Sequence, residues 1–513
     1  PSTVLLSHDG FVVHGVTYLP PPGLKELLNQ AKDWYDQNVE RVSEAANTMA
    51  AKAQAASPVA AGETPEVKDL TGEIIDDMMK SADRTHGGFG DAAKFPHPAA
   101  ISLLLSQFYF TGEQDFLQFA EKSLQSMSAG LLDKEEGGLF RYSVSPEWNA
   151  PHYEKTLADN AECLQNYLDA FRLTGKQEYA GVAENIIKYF FKKLADPAGG
   201  FYNSQDADIF DEDSLRIVME GEAYYSLPVS DRPKHGEPAI DQTLYVNANA
   251  IAISALLEAH HALENEQYRE IALKSLDRLM KDAIDDAKGA CHYLRDGQKG
   301  WPGFLGDTVW LARANLYAYE STSEHRYLEK GRRLMEIARE RFAAPDGGFY
   351  DSADDPAMPP ATLIRHKPLA DNAAAAEVFA RLYNYTADSS YLEAAASVLA
   401  AFEPAVREML SKGEGVFAAE YALAARHASD GSTKVSIVGP AEDQHAQKLL
   451  GEAKRLYRPA KMVQLIDPER DMPLMQAMKY PLPEQAPEVH ICTEEGCAPP
   501  VRTVEEMVKL LGR

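Results

Sequence analysis

The chain has 513 residues, 45% hydrophobic and 25% charged, a composition that buries a large core in water. Its 51 Lys and Arg stand against 78 Asp and Glu, a net charge of −27 that repels phosphate backbones and anionic lipid and so argues against nucleic acid or a membrane surface as partner. No apolar run reaches the roughly 18 residues of a spanning helix, and no signal peptide is visible. The chain begins at Pro1 rather than Met and is expected to be a processed or partial chain, soluble, from cytoplasm or an organelle.

The first elements are two strands in PSTVLLSHDGFVVHGVTYLPP and a helix from about 23 to 52. AKAQAASPVAAGETPEV, rich in Ala, Pro and Gly, reads as a linker. Then a repeat begins. QDFLQFAEKSL, QEYAGVAENII, EQYREIALKSL, HRYLEKGRRLM and SSYLEAAASVL share an aromatic anchor, Phe116, Tyr179, Tyr268, Tyr327 and Tyr391, spaced by 63, 89, 59 and 64 residues.

Each of these helices runs into a glycine-marked loop, such as EEGGLFRYS, PAGGFYNSQDAD or PDGGFYDSADD. Glycine there ends a helix and permits positive φ. A second apolar helix follows each loop, expected near 98–111, 155–173, 245–264, 304–320, 369–386 and 417–427. Short links such as TGEQ, TGKQ and TADSS lead onward and make their flanking helices antiparallel.

Six hairpins of one period predict a mainly α protein built on an (α/α)6 toroid over residues 66–428, with all long loops on one rim. The remaining expectations are an α/β N-terminal segment at 1–50, a linker at 51–65 and a small α/β unit at 429–513. Cys492 and Cys497 are too few for a zinc site, and their redox state is open.

The motifs GGFGDAAKFPHPAAISLLL, GGLFRYSVSPEWNAPHYEKTLADNA, GGFYNSQDADIFDEDSLRIVMEGEAYY and GGFYDSADD resemble the spermatogenesis-associated thioredoxin-like family. The resemblance covers nearly the whole chain. It implies a thioredoxin-like domain, here partial, joined to a barrel of the six-hairpin glycosidase type, with kinship to glycoside hydrolases and sugar epimerases. The resemblance implies that the family's Cys-x-x-Cys-type motif would lie before Pro1, so dithiol exchange is not expected of the residues present. Compared with the family, RHKPLADNAAAAEV is a shortened segment.

Within NAPHYEKTLADNAECLQNYLDAF, His152, Lys155 and Asp159 fall on one side of the helical wheel, opposite Leu157, Leu164 and Leu168. The bland reading is a solvated helix start with an i, i+4 pair of about 0.2–0.5 kcal/mol. The toroid puts this segment on the loop rim, which favours a pocket. Expected catalytic residues are His152 and His366, as a proton-transfer pair, with Glu154 and Asp206. Expected substrate-binding residues are Arg141, Trp148, Asp159, Tyr202, Asp208, Trp301 and Tyr350, since aromatic faces and carboxylates together suit a sugar cleft.

SQDADIFDED, which also holds Asp211, Glu212 and Asp213, lacks the glycine and the last Glu of a calcium loop, so no metal and no cofactor is expected. The function expected is sugar binding, with epimerase or isomerase chemistry preferred to glycoside hydrolysis because no acid pair declares itself. The alternative is a non-catalytic scaffold or accessory subunit binding a protein partner.

Overall fold

The computed structural model describes residues 3–7, 12–16, 19–54, 69–211, 216–355, 357–359, 362, 365–428, 432–493 and 496–512. Residues 3–6 and 12–16 pair as an antiparallel ribbon, followed by α1 (Pro21–Gln54). Helix α1 runs slightly beyond the 52 expected; the rest of the expected linker, and Glu212 and Asp213, lie outside the described residues.

Helices α2 (Thr71–Lys80), α3 (Pro98–Thr111), α4 (Gln114–Leu131), α5 (Leu157–Thr174), α6 (Gln177–Tyr189), the short α7 (Gly221–Tyr225), α8 (Val246–Leu263), α9 (Glu266–Asp282), α10 (Leu305–Thr322), α11 (His325–Phe342), α12 (Leu369–Thr386), α13 (Ser389–Ser411) and α14 (Ala419–Ala428) form the toroid. Helices α3, α5, α8, α10, α12 and α14 pack side to side in that order, and α14 returns to α3, closing the inner ring. Around them lie α4, α6, α9, α11, α13 and α2, so the sixth pair joins the first helix of the ring to the last. The fold is the expected (α/α)6 toroid.

Burial explains the two kinds of helix. Inner α8 and α12 are apolar on nearly every side, whereas outer α9 and α11 carry one apolar stripe. The anchors Tyr179, Tyr268, Tyr327 and Tyr391 are buried at the start of the outer helices.

The loops are built by a repeated clamp. After the Gly-Gly pair, the backbone N–H of Leu139, Phe201 and Phe349 donates to Asn160, Asn249 and Asn372 at 2.6, 2.7 and 2.7 Å. Each asparagine amide donates back to the carbonyl of the same loop residue at 2.9 Å. A lysine before the inner helix ties the loop a second time: Lys94 to Asp83 at 2.8 Å, Lys155 to Asp133 at 2.7 Å, and Lys367 to Asp346 at 2.8 Å. Gly138 needs its positive φ of 81° and its missing Cβ, which would stand 2.7 Å from the Tyr189 ring.

The C-terminal residues form parallel strands 433–438 and 461–466, with 488–493 antiparallel to the first. Helices α15 (Gln444–Arg455), α16 (Met472–Ala477) and α17 (Val504–Leu511) complete this unit. Cys492 and Cys497 are joined as a disulfide across its edge hairpin. The unit sits on the short-link end of the toroid. There Tyr109 donates to the Leu511 carbonyl at 2.8 Å, and Arg455 pairs with Glu264. Among the described residues no helix is long and apolar enough to cross a membrane.

Candidate functional site: the loop-end mouth

Every inner helix is entered from a long loop and left by a short link or by the C-terminal unit. All six therefore point their N-termini at one end, the mouth, where partial positive charge favours acids in the first turn. Three helices carry one at the same position: Asp159 in LAD, Asp307 in LGD and Asp371 in LAD. Each has a different partner.

Asp159 takes the Thr156 hydroxyl at 2.7 Å and lies 3.5 Å from the Arg141 guanidinium. Arg141 also holds Glu154 at 2.7 Å. The His152 ring stands 4.0 Å from Glu154 and stacks on Tyr142, which stacks on the exposed Phe95. The structure thus gathers His152, Glu154, Arg141 and Asp159 into one cluster. Lys155 has turned away: it is wholly buried, and with Asp133 and the Gly137 carbonyl it forms the loop clamp.

Asp307 is buried at the start of α10. It accepts from the Asn247 backbone at 3.1 Å and from His292 Nδ1 at 2.8 Å. Burial pushes the Asp307 carboxyl up to about 6, while its hydrogen bond raises His292 above the ordinary imidazole value. The His292 side chain is 38% exposed and is flanked by Tyr245 and Phe304. A carboxylate holding Nδ1 leaves Nε2 for chemistry on the open side. Asp371 accepts from the Trp310 indole at 3.0 Å.

Below the mouth the axis is hollow. A cavity of about 180 Å³ is lined by Glu162, Trp310, Arg313, Glu377 and Glu420 among small residues of the inner helices. Burial pushes the Glu162 carboxyl up to about 7, helped by Asp159 and Glu420. Among the described residues no group of three His, Cys, Asp or Glu side chains is placed to hold a metal ion.

Several residues expected to bind substrate, and the expected catalytic Asp206, make other contacts. Trp148 is buried to 2% exposure, and its indole N–H donates to the Gly87 carbonyl at 3.3 Å while the ring fills the space beside Gly88, so it packs a loop. Tyr202 lies in a separate groove near Arg278 and Asp282 on the outer layer. The Asp206 carboxylate caps its own turn at Ala207, and Asp208 accepts from the Gly221 backbone at 2.7 Å. Tyr350 is covered by the Arg365 guanidinium at 4.3 Å.

Trp301 is 53% exposed and its carbonyl accepts from the His292 backbone, which sets it beside the dyad. His366 is exposed and fixed through its backbone to Asp351. Among the described residues no hydrogen bond, ion pair or ring contact links His152 to His366. The groups sequence reasoning passed over are His292, Asp307, Trp310, Asp371 and Glu162. The recurrent L-x-D at inner-helix starts signals Asp307 and Asp371.

The closed ring of six helical hairpins is an (α/α)6 fold. No protein-family model matches the chain. It is 24% identical over 97% of its length to Spermatogenesis-associated protein 20 of Homo sapiens, covering 77% of that protein, and 23% identical over the same shares to its Mus musculus counterpart. The resemblance read from the loop motifs therefore holds over nearly the whole chain.

Among solved structures, a sugar epimerase from a ruminal bacterium matches with TM-score 0.53 and 17% identity, over 65% of this chain and 85% of that one. Cellobiose 2-epimerase from Bacillus thermoamylovorans matches with TM-score 0.53 and 14% identity, over 70% and 88%. A D-mannose isomerase matches with TM-score 0.52 and 14% identity, over 67% and 87%. At these identities the likeness is one of fold.

Proposed function

We propose that the protein binds a neutral sugar in the loop-end mouth and moves a proton at the carbon beside its carbonyl, as an aldose–ketose isomerase or an epimerase does. The observation that carries this reading is the His292–Asp307 dyad. A buried carboxylate holds Nδ1 of a partly exposed imidazole and leaves Nε2 free of hydrogen bonds among the described residues, an arrangement suited to a general base.

His292 Nε2 takes the proton from the carbon, and the C–H electron pair becomes the carbon–carbon double bond of an enediolate. Return of the proton by His292 to the neighbouring carbon gives the isomer, whereas protonation of the same carbon by a second acid on the other face, with His292 keeping the first proton, gives the epimer. Trp310 and the exposed Trp301 supply faces for the C–H surface of a ring. Arg141, Glu154, Asp159 and His152 supply hydroxyl partners on the other side. Glycoside hydrolysis draws less support, because Glu154 and Asp159 are both tied to Arg141.

The test is calorimetry with a panel of mono- and disaccharides, together with NMR detection of deuterium entering C2 of an aldose in heavy water. Wild type is expected to bind and to exchange. His292→Gln is expected to keep affinity within severalfold while exchange falls about 100-fold or more. A folded wild type that binds no sugar overturns the reading.

The second reading, a protein-binding scaffold, draws on the N-terminal segment, where Val4, Leu6, Val12, Leu28 and Trp34 present apolar surface to solvent. It gains if sugars fail and a partner masks those residues.

A further inference from the structure

The axial cavity does not end at the mouth. It shares Ser102, Gln165, Arg313, Glu377 and Leu423 with a second cavity of about 180 Å³, which reaches the C-terminal unit. The toroid wall of this lower chamber pairs its charges among its own side chains. Arg172 pairs with Glu258 at 2.6 Å and Asp169 at 3.7 Å. Arg313 pairs with Glu377 at 3.1 Å, and Arg381 holds Glu377 and Glu320 at 2.8 and 3.0 Å. Four carboxylates are thus met by three guanidinium groups.

The floor is different. The C-terminal unit contributes Lys454, Arg458 and Lys461, and among the described residues none of them pairs with a carboxylate. Lys461 Nζ donates to the Lys454 carbonyl at 3.3 Å and more closely to the Ala453 and Leu456 carbonyls, all at the end of α15. Arg458 donates to the Thr433 and Tyr109 hydroxyls at 2.6 and 3.2 Å. Lys454 is 5% exposed, and among the described residues its ammonium has no hydrogen-bond partner. A buried amine with three donors and no acceptor is costly in free energy unless something else accepts from it.

We propose that the lower chamber is a site for a small oxyanion, a phosphate group, held by Lys454 with Arg458 and Arg172 around it. With every lining side chain in its ordinary ionisation state, the chamber carries six Lys and Arg against four Asp and Glu, a surplus of two positive charges inside a chain of net charge −27. The surplus matches one phosphate dianion. Arg172 supplies a second free donor, since its Nε is buried and has no partner among the described residues. In the unliganded chamber, burial lowers the Lys454 ammonium to about 7, so a bound anion would also restore its charge. This site stands on the plug-side cations and does not require the mouth to bind sugar.

The phosphate comes either free or on a phosphorylated small molecule, and one titration series separates these sources. Inorganic phosphate, glucose 6-phosphate and glucose are titrated by calorimetry into wild type, Lys454→Gln and Arg458→Gln at constant ionic strength. Phosphate is expected to bind wild type with one site and to raise the unfolding temperature. Both variants are expected to bind it about tenfold or more weakly.

Glucose 6-phosphate binding more tightly than phosphate and glucose together would place a sugar above the phosphate, along the shared axis. Equal affinity for phosphate and glucose 6-phosphate assigns the site to the free ion. Wild type that binds neither anion overturns the proposal, as does unchanged affinity in a folded Lys454→Gln. Glucose binding with no anion binding would sink this site and leave the sugar reading untouched.

Discussion

The two ends of the toroid axis are made from the same six helices and differ in what completes them. At the mouth the helix N-termini favour acids, and Asp159, Asp307 and Asp371 sit there, each given a partner by a loop or by the neighbouring helix. At the plugged end the helix C-termini favour cations, and the C-terminal strands and helices add three of them, Lys454, Arg458 and Lys461, to the arginines of the ring. The mouth is assembled by the repeat and can vary loop by loop; the floor comes from a sequence with no repeat constraint. That division leaves exposed, exchangeable groups at one end and a buried network at the other, and the two should respond to mutation in opposite ways.

The largest effect is expected in the buried network. Arg381→Met removes the cation that serves both Glu320 and Glu377 and lies over the Tyr317 ring at 4.6 Å. Two carboxylates are then left short of a partner, and the expected loss is about 3–5 kcal/mol by chemical denaturation. A loss below about 1 kcal/mol would mean that the carboxylates find water or protons cheaply, and the contrast between the two ends would collapse. Lys454→Gln, which removes a cation with no partner among the described residues, should instead leave stability unchanged or raise it.

Glu162, between the two ends, gives a pH test. Its folded value is raised to about 7, above the ordinary carboxyl value of 4.5. Between about 4.5 and 7 the folded chain holds a proton that the unfolded chain has released. The stability contributed by this group is therefore full at the acid side and is lost as pH rises through 7. Glu162→Gln should match wild type near pH 4.5 and exceed it at pH 8, by up to about 3 kcal/mol. Denaturation curves at the two pH values read this directly, and equal differences at both would show that Glu162 is ionised in the cavity throughout.

How much of this could be read from the chain depends on whether a feature repeats. The ring was legible because anchor tyrosines and Gly-Gly loops recur at one period, and each recurrence constrains the others. KTLADNA and KPLADNA were also in view, at 155–161 and 367–373, and they spell out the lysine clamp, the mouth carboxylate and the loop-binding asparagine in six consecutive residues. Taken singly, Lys155 looked like part of a site; taken as a repeat, it is a structural tie.

His292 was hidden for a different reason. Its partner Asp307 lies fifteen residues on, across a turn and two short strand pairings, and no helical spacing connects them. Trp148 misled because a tryptophan on a glycine loop suits a sugar face as well as a packing site. Only the space left beside Gly88 and Gly130 decides between these roles.

The smallest effect on folding, and the sharpest on the mouth, is expected from Arg141→Ala. Its guanidinium is half exposed, and its pairs with Glu154 and Asp159 are of the kind that contribute less than about 1 kcal/mol to stability. The same side chain fixes two carboxylates and, through Glu154, the edge on which His152 and Tyr142 stack. Removing it frees both acids to swing into the mouth and repel one another. Sugar affinity should then fall about tenfold while the unfolding temperature barely moves, as read by calorimetry and thermal denaturation on one preparation. If affinity holds, the ligand sits on the His292 side of the mouth alone and the cluster around Arg141 is a solvated helix start. If stability falls with affinity, the mouth is as much a part of the packed network as the floor, and the two ends of the axis are not distinct after all.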